Sequence, residues 1–143
     1  MIKLKLVKGL LNLKTIDIKT NNKFDIIDIT NKIQQVVVQE ELVNGIAVVF
    51  VPHTTAGVSI NENADPDVID DLKKIFNKMI PEKDGYKHFE GNSQAHALST
   101  LTSPSLTVIV DNGKIVRGTW QNIYFMEYDG PRHRQIHVQT ISK

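Results

Sequence analysis

The chain contains no cysteine. That excludes disulfides, thiolate metal sites and cysteine nucleophiles, so histidine and carboxylate must carry any metal or proton chemistry. Neither sign of charge is in excess, with 17 Lys and Arg against 16 Asp and Glu. Whole-chain charge thus gives no argument for a nucleic-acid or membrane partner, and neither is expected. Long apolar runs are also missing: residues 1–6 alternate lysine with apolar side chains and lack the core of a signal peptide or the length of a membrane span. A soluble, cytoplasmic protein is expected. No repeat, low-complexity tract or linker divides the 143 residues, so residues 1–143 read as one domain, large enough to form its own core.

What is present is a pattern of strands at both ends and helices between. Ile2, Leu4 and Leu6 alternate with lysines, and Leu11, Leu13, Ile16 and Ile18 sit among polar residues, which predicts two half-buried strands joined through Gly9 or near Asn12. Ile29, Ile33, Val36 and Val37 recur at helical spacing, predicting a helix over 30–43 that Gly45 ends. The continuous apolar run 46–51 suits a strand buried on both faces, with His53 at its end. Residues 56–60 form the next strand and deliver Asn61, Glu62 and Asn63 to its far end.

The second helix is the best marked. Asp65 is its N-cap, Pro66 its first residue, and Asp67, Asp70 and Asp71 favour its positive end while Lys73, Lys74 and Lys78 follow. Val68, Ile69, Leu72, Ile75, Phe76 and Met79 give it one apolar face, and Pro81 stops it near Ile80. Asn92 or Ser93 caps a third helix through about Leu101, with His96 in its first or second turn. Leu106, Val108 and Val110 then alternate with Thr107 and Ile109, Asp111-Asn112-Gly113 supplies a tight hairpin, and 115–117, 120–128 and 133–141 complete the strands. Strands and helices in separate runs predict an α+β fold, mainly an antiparallel β-sandwich with about three helices packed on it.

Three of the five histidines fall in two blocks, His53-Thr54-Thr55-Ala56 running into Asn61-Glu62-Asn63-Ala64-Asp65, and His88 to His96. Each has a modest explanation taken alone: a histidine at a strand end bonds a backbone carbonyl, and threonines cap turns. Together, three neutral imidazoles with one open position make a catalytic zinc site. The helix dipole accounts for the aspartates after the cap, which leaves Glu62 as the preferred general base and Glu90 as the runner-up. Gly91-Asn92-Ser93 reads as an anion cradle or an ordinary cap. Arg117 with Gly118-Thr119-Trp120-Gln121 places polar groups at a strand start, and Gly130-Pro131-Arg132-His133-Arg134 is a basic turn suited to phosphate or simply to solvent. His137, within the last strand, reads as structural.

The stretches from His53 to Asp67, from Tyr86 to His96, and from Gly113 to Arg134 with the Gly118-Thr119-Trp120-Gln121 core resemble the YjbQ-like family, UPF0047, to which secondary thiamine-phosphate synthase activity is ascribed. The resemblance spans nearly the whole chain and rests on three motifs in order. It implies a homotrimeric α+β sandwich with a polar pocket near the subunit interface and a metal held by His53, His88 and His96. Glu62 and Asp65 match the family's Asn-Glu-Asn-x-Asp segment, and Gln121 and Arg132 match later polar positions. Some relatives carry cysteine where this chain has Ala64, so a thiol is not essential here.

The implied reaction couples hydroxymethylpyrimidine diphosphate to thiazole phosphate and releases pyrophosphate. Such a step needs charge neutralisation on the leaving group, which Arg117, Arg132, Arg134 and a divalent metal would supply. The expected catalytic set is Glu62, Asp65 and Gln121, and the expected substrate or phosphate set is Thr54, Thr55, Asn92, Arg117 and Arg132. Three histidines favour zinc, with magnesium the alternative, and that preference also suits a hydrolase of a small phosphorylated or polar substrate. A non-catalytic metal- or ligand-binding module is the third reading.

Overall fold

The computed structural model describes residues 13–143. The strand expected at Ile2, Leu4 and Leu6, with its turn at Gly9 or Asn12, lies outside the described residues. Its expected partner is β1 (Lys14–Lys19), followed by β2 (Asp25–Asp28), α1 (Thr30–Gln39), β3 (Gly45–Phe50), β4 (Ala56–Glu62) and α2 (Pro66–Met79). Then come α3 (Ser93–Thr102), β5 (Ser105–Asp111), β6 (Lys114–Ile115), β7 (Gln121–Glu127) and β8 (His133–Ser142). The strands form two antiparallel sheets, β1-β8-β3-β5-β6 and β2-β7-β4, so the α+β sandwich is the observed architecture.

Register explains the core. Ala47 lies opposite Val108, Val49 opposite Val138, and Ile16 opposite Ile136. Period-two alternation therefore turns one face of the large sheet inward as a set. These residues meet Val58, Ile123 and Phe125 of the small sheet and Ile33, Val36 and Val37 of α1 in one buried cluster. On the other face of β7, Tyr124, Met126 and Tyr128 pack with Ala95 and Leu98 of α3, joined by half-buried Ile69 and Phe76 of α2. The strand buried on both faces is consequently β7. The run 46–51, expected to have that role, buries Ala47 and Val49 but leaves Phe50 exposed, because no element among the described residues covers the outer face of the large sheet.

Helix ends differ from expectation where backbone geometry decides. α1 stops at Gln39 and not near Val43, because Glu41 adopts a left-handed φ of 52°. Asp65 caps α2 as expected, its Oδ1 accepting from the Asp67 N–H at 2.9 Å. The apolar face of α2 is only partly covered: no residue of it is buried, and Ile75 and Met79 are 55% and 56% exposed. The Asn112-Gly113 turn has φ of 49° and 75°, as a two-residue hairpin requires, although β6 is shorter than the segment 115–117 suggested. Gly57 lets the end of α3 rest on β4, since a Cβ there would stand 2.6 Å from Thr102 Oγ1 and 3.0 Å from the Ser103 carbonyl. Among the described residues no helix is long and apolar enough to cross a membrane.

Candidate functional site

At one end of the sandwich, three loops converge: the segment from β3 to β4, the turn before α3 and the β7–β8 connection. They enclose a polar cleft of about 430 Å³ lined by His53, Thr54, Thr55, His88, Glu90, Asn92, His96, Asp129, Arg132 and Arg134. Its floor is a buried ion pair. β8 alternates so that Arg134 shares the inward face with Ile136 and Val138, and β7 turns Glu127 the same way as Ile123 and Phe125. Two charges thus point into one core, where they are stable only as a hydrogen-bonded pair. Arg134 donates from Nε to Glu127 Oε2 at 2.8 Å and from Nη2 to Oε1 at 2.6 Å, with Glu127 0% and Arg134 6% exposed.

The pair organises its surroundings. Glu127 also accepts from the Thr20 hydroxyl at 3.0 Å and from the Asp129 N–H at 3.0 Å. Arg134 Nη2 reaches Thr55 Oγ1 at 2.8 Å. Asp129 Oδ2 accepts from Arg132 Nη2 and from Asn92 Nδ2, both at 2.9 Å, which ties the basic turn to the start of α3. Arg132 is further held by its Nε on the Asp129 carbonyl at 2.7 Å. Asn92 makes no side-chain cap bond to α3, so the first-turn N–H groups of that helix carry no side-chain cap and add positive potential near the cleft.

His53 sits just beyond β3, with Nε2 within 3.0 Å of the Gln135 carbonyl and 3.1 Å of its N–H. That contact occupies Nε2 in either tautomer and leaves Nδ1 as the second nitrogen. Burial, then the Arg134 guanidinium, hold the His53 pKa below the ordinary imidazole value against the opposing pull of the Gln135 bond and Glu127. Gly91, at φ 72°, closes the turn in which its N–H bonds the His88 carbonyl at 3.1 Å, and so brings His88 back over α3. The His88 and His96 ring centroids are 5.2 Å apart at 80°. Two imidazoles on a tetrahedral metal, at about 2.0–2.1 Å per bond, place their rings at about this separation. Among the described residues, however, no group of three or more His, Asp or Glu side chains stands ready to close on an ion.

The cleft collects His53, His88, His96, Thr54, Thr55, Asn92 and Arg132, but not Glu62, Asp65, Gln121 or Arg117. Glu62 ends β4 opposite Gln121, six strand steps and about 20 Å from Ala56 at the cleft end. Arg117 and Gln121 close their own turn: Arg117 Nη1 bonds the Gln121 carbonyl at 2.7 Å and also Asn122 Oδ1, while Gln121 Oε1 accepts from Gly118 N–H at 2.8 Å. The carboxylates that do face the cleft are Glu90 and Asp129. Asp129 and Glu127 were missed from sequence, although Glu127 carried a readable signal as the lone acid in an apolar run. His137 is structural as expected, bonded to Thr15 Oγ1 at 3.0 Å and stacked on Phe50.

Comparison with known proteins places this arrangement. The sequence profile described as UPF0047 protein YjbQ-like matches residues 14–143. A UPF0047 protein of Methanocaldococcus jannaschii is 47% identical over 124 residues, covering 87% of this chain and 90% of its own. The UPF0047 protein YugU of Bacillus subtilis is 44% identical over 130 residues, covering 90% and 98%. The crystal structure of an uncharacterised YjbQ/UPF0047 protein from Clostridium acetobutylicum superposes with a TM-score of 0.88 at 48% identity, covering 90% of this chain and 99% of that one. Fold, motifs and identity agree, and this chain belongs to the YjbQ-like UPF0047 family.

Proposed function

We propose that the cleft is the active site of a cytoplasmic small-molecule enzyme that handles a phosphorylated substrate, in the manner of secondary thiamine-phosphate synthase. The observation that carries this reading is the sharing of one polar cleft by three imidazoles, two guanidiniums and two threonine hydroxyls. Arg132 and Arg134 match phosphate oxygens with planar donors, and Thr54, Thr55 and the α3 N-terminus add neutral ones. Those groups neutralise a departing pyrophosphate, which is the main demand of joining hydroxymethylpyrimidine diphosphate to thiazole phosphate. His88 and His96 are spaced as two metal ligands, and His53, across the same cleft, is the third in this reading. Bound there, zinc, or magnesium in its place, would supply Lewis-acid stabilisation of the leaving oxygens.

Glu90 supports a second reading. It lines the cleft beside His88, where a carboxylate serves as base for water in a metal-dependent hydrolase. The catalytic assignments of Glu62, Asp65 and Gln121 belong to a site built from more than one copy, because within one chain they lie at the other end of the small sheet. A homotrimer fits this, and the outer face of the large sheet offers Ile109 and Ile141, 60% and 51% exposed, on either side of Ile46. A sedimentation measurement showing a monomer at micromolar concentration would refute the trimer.

The enzyme reading is tested with purified protein loaded with zinc or magnesium. Pyrophosphate release that requires both hydroxymethylpyrimidine diphosphate and thiazole phosphate supports coupling, and release from the diphosphate alone supports hydrolysis. Binding of either compound with no product overturns the enzyme reading in favour of a binding module.

A further inference from the structure

The two faces of α3 look onto different spaces. Asn92 and His96 line the cleft, whereas Gln94 and Leu98, each two positions away and so about 200° around the helix, line a second cavity of about 250 Å³. Phe24, Leu98 and Tyr128 give it an apolar and aromatic side, and Lys23, Asn77, Glu82 and Gln94 give it a polar one. Leu98 and Tyr128 are buried, and Phe24 stacks parallel to Phe76 with centroids 6.3 Å apart while meeting Tyr128 edge-on at 5.2 Å. The Lys23–Glu82 ion pair, about half exposed on both sides, stands at the solvent edge.

One polar group is fixed within this wall. Gln94 is 7% exposed, and its Nε2 donates both hydrogens, to Asn77 Oδ1 at 2.9 Å and to the Ile80 carbonyl at 2.7 Å. Turning the amide over would set its oxygen against two acceptors, so the orientation is determined by the network. Oε1 is then the remaining group. No described residue donates to it, and it is not sealed in the interior either, since Asn92 Oδ1 is the sole buried side-chain polar atom without a partner among the described residues. A fixed acceptor beside edge-on and stacked rings selects a flat molecule that brings one donor. The volume suits a single ring, since an apolar cavity of about 150 Å³ already holds benzene.

We propose that this cavity is a second ligand site, which takes one aromatic or heteroaromatic ring bearing an N–H or O–H donor directed at Gln94 Oε1. It requires no metal and none of the cleft residues, so it stands or falls apart from the enzyme reading. The test is a titration of the ¹⁵N-labelled full chain with phenol and with toluene, two rings of similar size that differ in the donor. Phenol should give saturable shifts at Phe24, Leu98, Tyr128 and the Gln94 side-chain amide, and bind about 2–10-fold more tightly than toluene, the discrimination of one net hydrogen bond. Gln94→Met should abolish the preference while keeping ring binding. If that variant fails to fold, intermolecular NOEs from phenol to Phe24 and Leu98 in the unaltered protein decide the matter. Equal affinities for the two rings, shifts confined to the cleft, or no saturable shift before phenol unfolds the protein would each overturn the proposal.

Discussion

Breaking the Glu127–Arg134 pair is the sharpest test of how the cleft is built. In Glu127→Ala the guanidinium, 6% exposed, keeps only Thr55 Oγ1 as a partner, and the Thr20 hydroxyl and Asp129 N–H lose their acceptor. Removing one member of a buried pair costs about 3–5 kcal/mol. Against a total stability of about 5–15 kcal/mol, and at about 2–4 °C per kcal/mol for a chain of this size, the melting temperature should fall by about 6–20 °C. Arg134→Met should cost a similar amount, because it strands the carboxylate. The double variant Glu127→Leu/Arg134→Met removes both charges, and replacement of a buried pair by apolar groups is often neutral. It should therefore be far more stable than the sum of the single losses, with a coupling of about 3 kcal/mol or more. Urea and thermal unfolding of the four proteins measure this, and the effect should change little with added salt because the pair is shielded from solvent. Additive losses, or a single variant costing under about 1 kcal/mol, would refute the account. The folded double variant should still bind pyrophosphate more weakly in calorimetry, since Arg134 no longer lines the cleft.

Three further outcomes are expected. His53→Ala, His88→Ala and His96→Ala should each lose stoichiometric zinc by elemental analysis, and retention in all three would end the metal assignment. Asp65→Ala, which deletes the cap acceptor of α2, should lower stability by about 1 kcal/mol in urea unfolding; an unchanged midpoint would mean that the cap contributes nothing. Burial pushes the Tyr128 phenol up to about 12, above the ordinary tyrosine value of about 10, so the unfolded chain loses that proton first. Its contribution to stability is whole below about pH 10 and is lost as pH rises toward 12, which spectrophotometric titration and unfolding at alkaline pH should follow together.

Much of the site could be read before the fold was known, because its groups were clustered in sequence. His53-Thr54-Thr55, His88 to His96 and the basic turn ending at Arg134 all reach the cleft. Glu62 could not be placed the same way. It lies only nine positions from His53 in the chain, yet β4 is extended and carries it to the opposite end of the small sheet. Sequence proximity across a strand amounts to spatial separation. Asp129 was illegible for the converse reason: its importance comes from Asn92, 37 positions away, and from a turn whose shape no local pattern states.

By itself the sequence determined whatever rests on short-range physics. The Asp65-Pro66 start of α2 and the Asn112-Gly113 hairpin each follow from side chains within a few residues, where backbone propensity suffices. The motifs sufficed for the family as well. Tertiary structure alone decided which strand is covered on both faces, since β3 and β7 are both strongly apolar and only the packing of α2 and α3 on β7 separates them. It alone brought His88 to within a ring contact of His96 and set Glu127 against Arg134. Such pairings depend on how whole sheets stack, because a buried charge finds its partner through the register of two strands and not through the sequence around either one.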